Sequence, residues 1–121
     1  MKNILLGLSL LSLVLSSCKQ DDRTPLLLGK WRGASWTLNG KDSGRDYATI
    51  QFEFMSDNQY TSSFGSQSEK GSFKLKRDEL YTTGENKIEK MVKLSKLNAD
   101  TLVMDMNRAG EAEVLTLVKE H

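Results

Sequence analysis

Clusters of turn-forming residues recur about every 8 to 14 residues from Gly29 to His121, and that spacing suits short strands joined by tight turns. The clusters include Asn39-Gly40, Ser56-Asp57-Asn58, Gly65-Ser66-Gln67-Ser68, Arg77-Asp78, Gly84-Glu85-Asn86 and Arg108-Ala109-Gly110. Between them apolar and polar residues alternate, as in half-buried strands. Ile50, Phe52 and Phe54 face one way, and Thr49, Gln51 and Glu53 the other. Tyr60, Ser62 and Phe64 share a face on the return, as do Gly71, Phe73 and Leu75 on the strand after it. Leu102, Met104 and Met106 repeat the pattern later.

The predicted strands are Lys30–Leu38, Ala48–Phe54, Gln59–Phe64, Glu69–Lys76, Glu79–Thr83, one within Asn86–Asn98, Thr101–Asn107 and Glu111–Lys119. The segment Asn86–Asn98 is ambiguous. Its Lys, Glu, Met and Leu are good helix formers, yet a helix sends Leu94 and Leu97 away from Ile88, Met91 and Val92. A strand groups Ile88, Val92 and Leu94 with Lys90, and a bulge near Ser95 brings Leu97 into phase. Strand is the preferred reading. Eight short strands close naturally into an antiparallel meander, because closure removes the exposed edges. The expected fold class is all-β, an eight-stranded up-and-down barrel over residues 29–121.

Trp31 sits at the head of the first strand, where a tryptophan plugs one end of a barrel with its N–H near a partner. Trp36 has the opposite parity. Both face inward only if a bulge intervenes, and Gly33 is the natural site; without one, Trp36 is an exposed contact surface. The barrel-interior or ligand-lining candidates are Trp31, Ile50, Phe52, Phe54, Tyr60, Phe64, Phe73 and Leu102. So many bulky residues in so short a barrel predict a mostly filled interior, with room for a small ligand at most.

The N-terminus reads Met1-Lys2-Asn3, an apolar run Ile4–Leu15, then Ser16-Ser17-Cys18. This is the pattern of a secretory signal peptide over residues 1–17, too short for a membrane-spanning helix of roughly 20 residues. Leu15-Ser16-Ser17-Cys18 resembles the lipobox of bacterial lipoproteins. The resemblance implies a diacylglycerol thioether on Cys18, cleavage before it, and a membrane partner reached through the lipid anchor. An ordinary signal peptide with a coincidental cysteine is the alternative. Residues 18–28 then read as a polar tether ending near Pro25, the only proline. Its lysine and acidic pair also resemble a surface-export signal. Asp does not directly follow Cys18, so the inner-membrane retention signal of enteric lipoproteins is missing. The expected location is the outer membrane, on its periplasmic or its outer side.

Gly29-Lys30-Trp31 resembles the glycine-x-tryptophan signature of the calycins, the lipocalin-like barrels. Ile50-Gln51-Phe52-Glu53-Phe54 with Tyr60, Lys70-Gly71-Ser72-Phe73-Lys74-Leu75 with Leu80, and Leu94–Val103 are similar to hairpins of small lipocalin-like lipoproteins of Gram-negative bacteria. The likeness spans residues 26–119. It implies a lipocalin-like barrel with a pocket for a small apolar ligand. Full lipocalins carry a late arginine over the signature tryptophan; here the last strand offers Lys119. The chain is also shorter and lacks their C-terminal helix.

Chemistry for catalysis is sparse. The only histidine is His121, the last residue, which leaves no internal imidazole base. The only cysteine is the proposed lipid site, and the carboxylates are scattered, so neither a zinc nor a calcium cluster is expected. Gly40-Lys41-Asp42-Ser43-Gly44 lacks the spacing of a phosphate loop. Glycoside hydrolysis needs only two acids about 5 to 9.5 Å apart, and no such pair stands out. Lys87, Lys90, Lys93 and Lys96 recur every third residue, but Glu85 and Glu89 offset them. With a formal net charge of +1 the chain offers no footprint for nucleic acid. No catalytic residues, metal or cofactor are expected. The expected function is a lipid-anchored envelope protein binding a small apolar ligand; the alternative is an interaction or inhibitor scaffold with a filled core.

Overall fold

A computed structural model describes residues 22–121. Cys18, the signal segment and the start of the tether lie outside the described residues. One helical turn, α1 (Thr24–Leu27), precedes nine strands: β1 (Gly29–Leu38), β2 (Lys41–Asp42), β3 (Ile50–Phe54), β4 (Gln59–Phe64), β5 (Gln67–Lys76), β6 (Glu79–Gly84), β7 (Glu89–Leu97), β8 (Thr101–Arg108) and β9 (Glu111–Lys119). Every neighbouring pair is antiparallel, and β1 pairs with both β3 and β9. The result is a closed eight-stranded meander barrel, with β2 as a two-residue flap on the end of β1.

The ambiguous segment is a strand with the expected bulge. β7 pairs Leu94 with Met104 and Lys96 with Val103, skipping Ser95. The extra residue turns Leu97 inward beside Leu94, and both are buried. Ile88 falls outside the strand and is exposed, as is Met91.

The same device acts in β1. Gly33 pairs with Leu117 and Ser35 with Thr116, so the register shifts across Ala34. Trp31 and Trp36 both face the core, at 0% and 6% exposure. Gly33 is also where a loop backbone comes closest. A Cβ there would stand 2.1 Å from the Tyr47 carbonyl oxygen. That approach ends the β1–β3 pairing at Arg32–Gln51. Tyr47–Thr49 accordingly forms a 3-10 turn, so β3 starts two residues later than Ala48.

The last part of the segment expected as a tether packs on the barrel. Pro25 is pre-organised for the first turn of a helix, and α1 packs Leu27 fully into the barrel end. The Trp31 indole Nε1 donates to the Leu27 carbonyl at 2.8 Å. Residues 24–28 therefore belong to the barrel domain. Lys119 fills the position that the resemblance gives to an arginine: its Nζ lies 4.8 Å from the Trp31 ring centroid and donates to the Leu28 carbonyl. Gly29, at φ +124°, lets that lysine pass; a Cβ would sit 2.7 Å from Lys119 Cε.

Around this plug the core is continuous. Phe54, Phe73, Leu80, Leu94, Leu102, Leu115 and Leu117 are all buried. This half of the barrel is filled.

Candidate functional site

Toward the other end the inward positions change chemistry. Strand parity carries Ser62 on β4, Gln67 and Glu69 on β5, Thr82 on β6, Lys90 on β7, Arg108 on β8 and Glu113 on β9 to the same side as the core residues of their strands. Small or charged side chains do not fill a barrel across its width. A cavity of about 580 Å³ opens there. Its floor is Leu80 and Met104, its walls include Trp36, Phe52, Tyr60 and Val92, and Phe64 and Met106 stand nearer the rim. The volume lies within the usual range of ligand pockets, about 300–1,000 Å³. The expectation of a mostly filled interior thus holds for one half of the barrel and fails for the other. Bulky residues close the plugged half, whereas the mouth positions are mostly Ser, Thr, Gln, Glu, Lys and Arg, with Phe64 and Met106 among them.

An aromatic run joins the two halves. Phe54 meets Phe73 edge-on at 5.1 Å between ring centroids and stacks with Phe52 at 5.8 Å. Phe52 meets Phe64 edge-on at 5.8 Å, and Phe64 reaches Trp36 at 6.3 Å. Of the sequence candidates, Trp31, Ile50, Phe54, Phe73 and Leu102 lie in the packed core. Phe52, Tyr60 and Phe64 line the cavity, and Phe64 is the most open, at 39% exposure.

Two polar clusters ring the mouth. Glu113 is 3% exposed, the most deeply buried charged residue in the barrel. Its Oε1 accepts from Trp36 Nε1 at 3.0 Å. Arg45 Nε lies 3.6 Å from Oε1, and Arg108 Nε lies 3.6 Å from Oε2. The Arg45 guanidinium also covers the Trp36 ring, 4.9 Å from its centroid. Across the cavity the Tyr60 hydroxyl donates to Glu69, whose other oxygen is 3.7 Å from Lys90 Nζ. Burial of Tyr60, with the hydrogen bond to Glu69, pushes its hydroxyl up to about 12.

Arg45, Glu69, Arg108 and Glu113 are not among the sequence candidates. Parity points to three of them: Glu69 is two residues before Gly71 and Phe73 follows, Arg108 is two after Met106, and Glu113 is two before Leu115. Arg45 lies in the loop after β2 and carries no such signal. Among the described residues no group of three or more His, Cys, Asp or Glu could hold a metal ion, and no helix is long and apolar enough to cross a membrane.

A closed antiparallel barrel, plugged at one end by a tryptophan and hollow at the other, defines the lipocalin-like class. The chain belongs to the lipocalin-like domain family, whose match covers residues 27–104. It is similar in fold to a lipocalin-like protein from Bacteroides uniformis, at a TM-score of 0.61 and 14% identity, covering 78% of this chain and 99% of that one. An uncharacterized protein from Bacteroides eggerthii shares the fold at a TM-score of 0.58 and 18% identity, covering 77% of this chain and 98% of that one. A search of curated proteins finds no match.

Proposed function

We propose that this chain is a lipid-anchored envelope protein that binds a small, partly apolar ligand in the open half of its barrel. The observation that carries the reading is the cavity of about 580 Å³, with an apolar floor and a charged rim. The lipobox-like Leu15-Ser16-Ser17-Cys18 supports the anchor, through a diacylglycerol on Cys18 in the outer membrane. Two or more acyl chains on one residue anchor stably. The cavity acids favour binding over catalysis. Glu113 is engaged by Trp36 and two arginines, and Glu69 by Tyr60 and Lys90. Both acids are thus spent on partners within the barrel.

The test is titration of residues 18–121, carrying Cys18→Ser so that no acyl chain competes, with the neutral dye N-phenyl-1-naphthylamine. Saturable one-to-one binding is expected. Val92→Trp, which pushes an indole into the cavity, should weaken it at least about tenfold while the circular dichroism stays β-type. Dye affinity unchanged by Val92→Trp would place the ligand elsewhere, and absence of saturable binding would favour the interaction-scaffold alternative.

A further inference from the structure

Residues 22–121 carry fifteen cationic and fifteen acidic side chains, His121 apart, but these do not cancel locally. β5 turns Lys70, Lys74 and Lys76 outward, and β7 turns out Lys93 and Lys96. The bulge at Ser95 that sends Leu97 inward also brings Lys96 onto the outer face with Lys93. Arg23, Arg77 and Lys87 stand in the entering segment and the turns of this flank. Against these eight cations stand five acids, Asp22, Asp78, Glu79, Glu85 and Glu89. The outer surface from β8 round to β4, with its turns and the C-terminal residues, reverses the balance. It has three cations, Lys30, Arg32 and Lys41, against seven acids. Five of these are Glu53, Asp57, Asp100, Glu120 and Asp105, which also borders the cavity; Asp42 and Asp46 lie between β1 and β3. The remaining charges belong to the interior and the mouth. The barrel is therefore dipolar across its width, with three surplus positive charges on the β5–β7 flank.

The cations of that flank surround an apolar centre. Tyr81 on β6 pairs directly with Met91 on β7, which is 55% exposed. Lys74 and Lys76 place Nζ 5.2 and 5.8 Å from the Tyr81 ring centroid. An aromatic ring with a polar tip, ringed by lysines, suits the level of lipid headgroups. The acids hold the lysines loosely. Lys74 meets Glu89 at 3.8 Å and Lys93 meets Asp78 at 3.9 Å, and all four side chains are exposed. Such surface pairs are weak and yield to a stronger anion field. The chain also enters on this flank. The Arg23 guanidinium donates to the Arg77 carbonyl in the β5–β6 turn, and Cys18 lies within about 18 Å of Arg23 along the chain.

We infer that the outer face of β5–β7 docks on an anionic bilayer, the leaflet that holds the anchor. Lys74, Lys76 and Lys93 lie among the headgroups, with Tyr81 and Met91 at their level. The inference rests on the anchor proposed above and adds a protein surface that reads lipid charge. Each cation near an anionic surface gains more than thermal energy, and the acids of the far side are repelled. The domain therefore leans toward β6 and away from β1, which is opposite it in the ring of strands, while the plugged end stays nearest the lipid.

The test uses residues 18–121 acylated at Cys18, on vesicles with a headgroup-linked quencher. A fluorophore is placed on Ser72→Cys, outward on β5, or on Thr116→Cys, outward on β9 across the ring. With Cys18 acylated, the introduced cysteine is the only thiol. On vesicles containing phosphatidylglycerol, quenching at Ser72→Cys should exceed that at Thr116→Cys at least about threefold. The two should become equal on pure phosphatidylcholine, and also in 1 M salt, where charges are screened beyond about 3 Å. Lys74→Glu, Lys76→Glu and Lys93→Glu together should abolish the preference while vesicle association and β-type circular dichroism persist. Equal quenching at the two sites on anionic vesicles, with the protein associated, overturns the docking and leaves the anchor standing. Stronger quenching at Thr116→Cys overturns the choice of face. A preference for Ser72→Cys that ignores lipid charge and salt overturns the reading of the flank as a charge sensor. Failure to associate with vesicles removes the anchor and this inference with it.

Discussion

Trp31 and Glu113 each do one structural task, and the cost of removing them differs for a physical reason. Trp31 is fully buried, donates to Leu27 and lies under Lys119. Trp31→Ala should cost about 3–5 kcal/mol in urea unfolding, the range for deleting a large buried aromatic. Glu113→Ala removes a buried charge, but its arginine partners are more than half exposed and can turn to solvent. What stays stranded is the Trp36 indole N–H. The expected loss is therefore smaller, about 1–3 kcal/mol for one unsatisfied buried donor. Tyr60 adds a pH dependence. Its hydroxyl is raised from 10.0 to about 12 in the fold, so between those values the native state holds a proton that the unfolded chain has lost. Stability from this group is complete below pH 10 and falls as pH rises toward 12. Alkaline unfolding followed by circular dichroism should show that slope, and Tyr60→Phe should flatten it. Trp31 is legible in the sequence because its signature and strand position agree. Glu113 does not stand out there, because a glutamate in a strand ordinarily faces water, and only its phase with Leu115 and Leu117 points inward.

The two bulges and α1 show how much of each element the sequence carries. Alternation is a period-two code, so a break in phase is itself a signal. Trp31 and Trp36 demand a bulge between them, and Gly33 supplies the spot; Leu94 and Leu97 demand one at Ser95. Alternation offers both bulges as conditional readings, beside an exposed Trp36 and a helical Asn86–Asn98, and the pairing realises them. The helical turn α1 is not legible there, because four residues are too few for periodicity. Its formation depends on Leu27 finding the open end of the barrel and on Trp31 needing an acceptor. A chain starting at Gly29 should accordingly be less stable than one starting at Asp22. The loss should reach about 2–5 kcal/mol, the range for deleting a buried leucine. Equal unfolding midpoints for the two chains would mean that α1 rests on the barrel without closing it. The cavity is hidden from the sequence for a related reason. Residue volume can be summed along a chain, but whether a long charged side chain crosses the barrel or leaves by the mouth depends on its partners in space.

Taken as one body, the barrel has a plugged end and an open end, and the chain enters at the plugged one. The Arg23 guanidinium donates to the Arg77 carbonyl in the β5–β6 turn at 3.2 Å, beside α1 and away from the cavity. With Cys18 carrying the proposed anchor, four residues lie between it and Arg23, a span of five Cα steps. Even fully extended they reach about 18 Å. The longest strands have ten residues. At about 3.3 Å per residue and a tilt near 40° they set the mouth roughly 25 Å from the plugged end. A mouth pressed to the anchoring bilayer would require the plugged end to stand farther off than the tether reaches. The domain can lie upright or on its side, but it cannot invert. With the proposed anchor and the domain upright, the mouth faces the aqueous phase, and the proposed ligand would enter from there, which fits a charged rim better than an apolar one. The prediction is an accessibility gradient on vesicles carrying the acylated protein. A fluorophore on Arg77→Cys, in the turn where the tether docks, should be quenched by headgroup-labelled lipid. One on Ala109→Cys, in the β8–β9 turn at the mouth, should not. Stronger quenching at Ala109→Cys than at Arg77→Cys would mean the domain inverts, and equal quenching would mean it does not stand upright. Failure of the protein to associate with vesicles at all would remove the anchor while leaving the cavity and its charged rim as they are.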